Sequence, residues 1–329
     1  MPKILIIRFS SIGDIVLTSP VIRCIQLQVA SSEVHFLTKQ SFASMLQANP
    51  HVKKVYAIQK NITEVMPALL HERYDFVVDL HHNFRSWQVI MQLKAAHKSF
   101  PKLNLEKWML VNFKINRMPH LHIVDRYFEA AGPLKITNDQ KGLDFFIPAE
   151  YESVSAELPQ SFSNGFVAVV IGAQHFTKRM PNQKLIALCQ KIHLPVVLIG
   201  GKEDVQNAMQ ISDACGNKVY NACGKYNLFQ SASLIRQAAL VIAHDTGMMH
   251  IAAAFNKKII SIWGNTVPEF GMYPYLPMHP ERSYIAEVKN LKCRPCSKIG
   301  KTACPKEHFK CMQEIDIDII LKQAVLFTT

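Results

Sequence analysis

The sequence predicts an α/β protein of two similar domains, each a parallel β-sheet with helices on both faces, with a cleft between them. Three observations carry this. Short apolar, β-branched runs alternate with amphipathic stretches along most of the chain. The rhythm breaks once, in a turn-rich stretch from Pro148 through Pro159 to Gly165. The 329 residues suit two domains at roughly 150 residues each, and 49% hydrophobic against 19% charged residues is ample material for cores. That balance excludes a mainly disordered chain.

The elements follow in order. Lys3–Phe9 is short, apolar and β-branched-rich, as in a fully buried strand. A turn at Ser10–Gly13 leads into an amphipathic helix from Asp14 to about Ala30, with Val21, Ile22, Ile25 and Val29 on one face. Val34–Leu37, Val52–Ile58 and Tyr74–Leu80 read as further strands, separated by helical segments. From Lys94 to Pro148 the pattern is less regular. Between Lys94 and Arg117, Lys94, Lys98, Lys102, Lys107, Lys114 and Arg117 face one acid, Glu106, with Phe100, Trp108, Leu110 and Phe113 interleaved. Such a stretch is either an amphipathic surface for a membrane or acidic acceptor, or a solvated helix face. The second series has strands at Phe166–Ile171, Pro195–Ile199, Leu240–Ala243 and Lys258–Ile262. Its helices run over Asn182–Ile192, through Met209, and from Met248 to Phe255; Ile315–Leu326 reads as the last helix. No internal repeat of roughly 20–50 residues is present.

No stretch approaches about 18 uninterrupted apolar residues, so no transmembrane helix is expected. The N-terminal apolar run is too short for a secretory signal and lacks a small-residue cleavage site, which makes the cytosol the expected compartment. The net charge of +12 suits nucleic acid, an anionic membrane surface or a phosphorylated substrate, and does not choose among them.

Four strand ends carry candidate chemistry, as open α/β sheets bind ligands there. Ser10-Ser11-Ile12-Gly13-Asp14 follows the first strand; spacing alone favours Asp14 as a helix cap over a general base. No Gly-x-Gly-x-x-Gly fingerprint occurs there, which argues against an oxidoreductase. Ala243-His244-Asp245-Thr246-Gly247-Met248-Met249-His250 joins a strand to a helix whose first N–H groups can hold a phosphate. The plainer reading has Asp245 as cap and His250 as a buried polar residue. Gly172–Pro181 presents Thr177, Lys178 and Arg179, a point charge and a fork able to clamp an anion. Gly200-Gly201-Lys202-Glu203 allows close backbone approach, with Glu203 a candidate acceptor for ribose hydroxyls.

Of eight cysteines, four stand at Cys293, Cys296, Cys304 and Cys311, with His308 nearby. In a cytosolic chain this argues against a disulfide framework. Structural zinc on the four thiolates is one reading; reduced or partly paired thiols are the other. Seven basic residues from Lys289 to Lys310 surround the cluster, without a recognisable nucleic-acid-binding motif.

Taken in order, the Ser-Ser-Ile-Gly-Asp turn, the Tyr74–His81 strand with Asn83 and Arg85-Ser86, Lys178-Arg179-Met180-Pro181, Ile199-Gly200-Gly201, Asp245–His250 and Ile262-Trp263-Gly264-Asn265-Thr266 resemble the bacterial heptosyltransferases of glycosyltransferase family 9. The resemblance spans nearly the whole chain. It implies a GT-B fold, two Rossmann-like domains facing a central cleft: residues 1–158 for the acceptor, 159–312 for the nucleotide-sugar donor, and a helix in 313–329 packing back on the N-terminal domain. It implies inverting, metal-independent transfer of heptose from ADP-heptose to the lipopolysaccharide inner core. It further implies that no cofactor is required and that the enzyme sits peripherally on the cytoplasmic face of the inner membrane.

By the same resemblance Asp14 matches the catalytic base, with Ser10, Ser11, Gly13 and Arg85 toward the acceptor. Thr177, Lys178, Arg179, Asp245, Thr246, Gly247 and His250 match the diphosphate and sugar site. Tyr226 falls near the adenine, and Glu203 matches the ribose-binding acid. Three positions depart from the family pattern: Met180 where Trp is common, His244 where Ser or Asn is usual, and Asn265 in place of Pro. Nucleic acid becomes the least favoured partner, and oligomeric state is left open. The alternatives are the same fold with another nucleotide sugar, or a non-catalytic nucleotide- or nucleic-acid-binding module.

Overall fold

The computed structural model describes residues 1–152 and 157–329. It divides into two compact units, residues 1–102 with 121–146 and residues 103–120 with 147–329.

The first unit runs β1 (Lys3–Ile7), α1 (Ile12–Val16), α2 (Ser19–Gln28), β2 (Glu33–Lys39), α3 (Ala43–Gln47), β3 (Lys54–Ile58), α4 (Met66–Glu72), β4 (Phe76–Asp79), α5 (Phe84–Leu93) and β5 (Ala96–Ser99). After α6 (Asn104–Phe113), which belongs to the second unit, it closes with α7 (Ile123–Ala131). Its five strands pair in parallel in the order β3-β2-β1-β4-β5. Central β1 is covered on both faces, so Ile4–Ile7 are wholly buried and the strand carries an uninterrupted apolar run. The helix expected over Asp14–Ala30 is two helices. Pro20 lies in the first turn of α2, where its missing N–H costs nothing, and its ring cannot continue α1.

The second unit runs β6 (Val167–Val170), α8 (Asn182–Lys191), β7 (Val196–Ile199), α9 (Val205–Cys215), β8 (Val219–Asn221), α10 (Leu228–Gln237), β9 (Leu240–His244), α11 (Gly247–Ala254), β10 (Ile259–Trp263), β11 (Ser283–Glu287), α12 (Lys310–Gln313) and α13 (Ile317–Thr328). Six parallel strands order as β11-β10-β9-β6-β7-β8. Each sheet reverses its winding once, between β1 and β4 and between β6 and β9. Those switch points open crevices at the carboxyl ends of the strands.

Three strands escape the sequence reading, β5, β8 and β11, and all three are sheet edges. An edge strand has water along one side and needs no apolar run; β5 reads Ala-His-Lys-Ser and is mostly exposed.

The expected domain limits also shift. Residues 103–120 join the second unit because Leu110 and Met118 pack with Val267 and Phe270. Lys114 Nζ donates to Pro295 O at 2.7 Å. The C-terminal helix, expected on the N-terminal domain, packs instead into the second unit's core. Ile320, Ala324 and Phe327 form an i, i+4, i+7 stripe buried in the same cluster as Leu188 and Ile262. Among the described residues no helix is long and apolar enough to cross a membrane.

Candidate active site

In the first unit, the switch point is occupied by an ion pair. Ser11 is the N-cap of α1, and Asp14 closes a capping box as its third residue. One carboxylate oxygen accepts from Ser11 N at 3.0 Å and from Ser11 Oγ at 2.9 Å. The other meets Arg8 Nη2 at 2.6 Å. Burial pushes the Asp14 carboxyl up, but the Arg8 charge and the Ser11 hydrogen bonds outweigh it and hold the group below the usual aspartate range. Arg8 also donates to Ser10 O and Leu80 O, which ties the end of β1 to the end of β4. Asp14 is thus part of the helix cap and an ionised carboxylate.

Beside this pair lies an open cavity of about 760 Å³, lined among others by Ser10, Lys39, Asn61, His81, Asn83 and Arg85. The Arg85 guanidinium lies over the Phe9 ring at 5.6 Å. The His81 ring meets Phe9 edge-on, and its Nδ1 has no hydrogen-bond partner. Burial and then the Arg8 charge pull the His81 pKa down to about 4, so it is neutral at pH 7.

In the second unit, the loops after β6 and β9 meet. Lys178 Nζ lies 2.6 Å from Asp245 Oδ2, which also accepts from Thr266 Oγ1 at 2.8 Å. Asp245 is therefore an ion partner; the N-cap of α11 is Thr246, whose buried hydroxyl has no partner. The first turn of α11 begins at Gly247, and its free N–H groups favour an anion. His250 is 2% exposed in the same turn region.

Arg179 pairs with Asp204 at 3.3 Å, and its Nε donates to Ala173 O. Asp204 also accepts from Gly201 N at 3.0 Å, and burial pushes its carboxyl up. A Cβ on Gly172 would lie 2.2 Å from Asp204 Oδ2, so that glycine is what admits the acid. His244 Nε2 accepts from Met180 N, fastening β9 to the Lys178 loop; burial and then Arg179 pull its pKa down to about 4.

Three further expected residues make contacts within the second unit. The Thr177 hydroxyl is 1% exposed and accepts from Lys301 N at 2.9 Å, so it braces the loop from below. Glu203 is exposed and folds over Gly201. Tyr226 follows edge strand β8, with β6 and β7 between it and β9, and its hydroxyl donates to Glu157. Several residues of these sites, Lys39 and Asn61 of the cavity among them, carry no signal in the sequence. Arg8 was visible as a lone charge ending an apolar strand. Asp204 stands beside the chosen Glu203. His81 and Thr266 lie within the motifs at the ends of β4 and β10.

Among the described residues, no group of three or more His, Cys, Asp or Glu is placed to hold a metal ion. Cys293 Sγ lies 3.9 Å from His308 Nε2, and Cys293, Cys296 and Cys304 are close enough to Cys311 to act on its thiol electrostatically. Cys311 is packed in the core on α12, where burial pushes its thiol up to about 12, and burial raises Cys296 as well. Burial thus keeps the Cys296 and Cys311 thiols protonated.

Known proteins match this arrangement. The sequence profile of glycosyltransferase family 9 (heptosyltransferase) matches residues 62–306. Lipopolysaccharide heptosyltransferase 1 of Campylobacter coli is 27% identical over 290 residues, 80% of this chain and 84% of that protein. The ADP-heptose lipopolysaccharide heptosyltransferase II of Escherichia coli superposes with a TM-score of 0.74 at 18% identity, covering 99% of this chain and 98% of that one. A family 9 glycosyltransferase of Veillonella parvula does so with a TM-score of 0.78 at 18% identity, covering 99% and 97%. Two parallel Rossmann-like sheets of matching topology and a profile spanning most of the chain lead to one conclusion: this protein is a glycosyltransferase of family 9, the heptosyltransferase family.

Proposed function

We propose that the enzyme transfers heptose from ADP-heptose to an anionic sugar of the lipopolysaccharide inner core, with inversion and without a metal. One observation carries the reading most directly. Lys178, the unpartnered Thr246 hydroxyl and the start of α11 gather at one switch point, with Arg179 on the next residue. Together they suit a diphosphate.

The steps follow from the side chains. Asp14, kept ionised by Arg8, accepts the proton of the acceptor hydroxyl. The hydroxyl oxygen bonds to the anomeric carbon on the face opposite the diphosphate. The carbon–oxygen bond to ADP breaks, and its electron pair stays on the β-phosphate. Because Asp14 is a weak base, proton transfer is late, when the new bond has made the hydroxyl strongly acidic. Lys178, Arg179 and the N–H groups of α11 meet the growing negative charge. Lys39 and Arg85, with the amides and hydroxyls of the first-unit cavity, suit an anionic sugar. We place the enzyme on the cytoplasmic face of the inner membrane, drawn there by the basic stretches Lys94–Arg117 and Lys289–Lys310.

The test is a donor-by-acceptor assay with ADP-heptose and defined core-lipid acceptors, with and without EDTA. Heptosylated product at an unchanged rate in EDTA supports the proposal. Turnover only with a UDP or GDP sugar rejects the donor, and stabilisation by oligonucleotides alone rejects the enzymatic reading.

A further inference from the structure

The first-unit cavity has an apolar lip. Helix α5 has three faces, worked out at about 100° per residue. Ser86, Val89 and Ile90 are buried, with half-buried Leu93 between them. Arg85, Gln88 and Gln92 line the cavity with Phe84. Phe84, Trp87 and Met91, at i, i+3 and i+7, form the third face and point into water, 71%, 52% and 54% exposed. Phe84 and Trp87 stack with centroids 5.6 Å apart. Three large apolar side chains on one helix face are not explained by packing.

The chain that carries this face has charge of one sign. From Leu80 to Leu105 there is no acid, while Arg85, Lys94, Lys98 and Lys102 are basic. Lys94 directly follows α5 and, like Lys98, is exposed. An aromatic and Met stripe flanked by cations, with no acid, fits the interfacial zone of an anionic bilayer, where rings sit at headgroup depth and lysines meet phosphates.

We propose that the Phe84–Trp87–Met91 face of α5 docks on an anionic phospholipid bilayer and so turns the mouth of the first-unit cavity toward the membrane surface. The head of a lipid-linked saccharide then reaches the cavity without leaving the bilayer. Only this last consequence rests on the proposed acceptor; the docking itself is independent of it.

The test is co-sedimentation of the full chain with vesicles of phosphatidylcholine alone and with about 30 mol% phosphatidylglycerol. Binding is expected only to the anionic vesicles and should weaken at about 0.5 M salt. Trp87→Ser with Met91→Ser should lower vesicle affinity about tenfold or more. Ile319→Ser, an exposed apolar residue on α13, should bind as wild type. As a check independent of the double variant's folding, Trp108→Phe leaves Trp87 and buried Trp263. Its fluorescence should shift to the blue and be quenched by brominated lipid.

Unchanged binding of the double variant, or an unquenched Trp87, overturns the proposal. So does a wild-type dimer, seen by sedimentation equilibrium, that this variant dissolves without any vesicle binding. Activity on a water-soluble, delipidated acceptor separates the two readings. Docking fails alone if that activity persists while vesicles are ignored. The proposed acceptor fails alone if vesicles bind and no acceptor turns over.

Discussion

Replacing Asp14 by Asn separates its structural role from its proposed chemical one. The carboxylate makes three polar contacts, to Arg8 Nη2 at 2.6 Å and to Ser11 N and Oγ at 3.0 and 2.9 Å. An amide of the same shape has one acceptor oxygen, so it either turns its NH₂ against Arg8 or loses the Ser11 N–H. Arg8 keeps its bonds to Ser10 O and Leu80 O. The stability loss should therefore sit at the low end for a largely buried pair, about 1–2 kcal/mol, or a fall in Tm of a few degrees. Turnover is another matter: an amide cannot take a proton at neutral pH. We expect kcat to fall at least about 10²-fold, equivalent to roughly 2.7 kcal/mol in the barrier. ADP affinity should hardly change, because the donor groups lie on the other unit. The assays are single-turnover heptosyl transfer, calorimetric ADP titration and thermal denaturation on one preparation. Wild-type turnover in Asp14→Asn removes Asp14 from the base role. A collapse of the fold, or loss of ADP binding, would reassign the residue to structure.

Lys178→Ala should weaken ADP binding by about tenfold or more, through loss of a charge-assisted contact; unchanged affinity by titration calorimetry refutes the phosphate role. Asp204→Asn should loosen Arg179, raising the donor KM more than it lowers kcat; steady-state kinetics distinguish this from a purely structural effect, which would change only Tm. Gly264→Ala should lower Tm and ADP affinity together, because its Cβ would meet Thr177 O at 2.6 Å and push the loop that carries Lys178. His244 contributes pH dependence. Its folded pKa, about 4, lies below the unfolded value of about 6.5, so the unfolded chain binds more protons between them. Stability should thus fall by roughly 3 kcal/mol as pH drops from about 6.5 to 4. Urea denaturation of His244→Gln should show a shallower slope over that range.

Much of this protein was legible in one dimension. The central strands β1, β6, β9 and β10 are buried on both faces, and a strand in that position is apolar except where a polar side chain finds a partner, as Ser261 and His244 do. The edges β5, β8 and β11 could not be read because their neighbours, not their own sequence, hold them in the sheet. The strand-end turns were legible because tight turns and helix starts need particular small and polar residues; the Ser11–Asp14 cap is an example. Which residues those turns set against each other was not. Lys178 and Asp245 are 67 positions apart and meet only because β6 pairs with β9. Arg8 finds Asp14 across one turn, yet its hold on Leu80 depends on β1 lying beside β4.

The same division holds at larger scale. Alternating strands and helices were enough to fix two α/β series. Where residues 103–120 and the last helix settle was decided by which apolar surface could cover Leu110, Met118, Ile320 and Phe327. The cysteine run shows the limit most plainly: its spacing suits a metal, but folding buries Cys311 as a core side chain and leaves Cys293 half-buried. Sequence alone determines what each short segment prefers, because local backbone and burial preferences act within a few residues. The tertiary structure decides which distant charges are paired and which are left for a ligand, because that depends on strand order and on the desolvation that only packing creates.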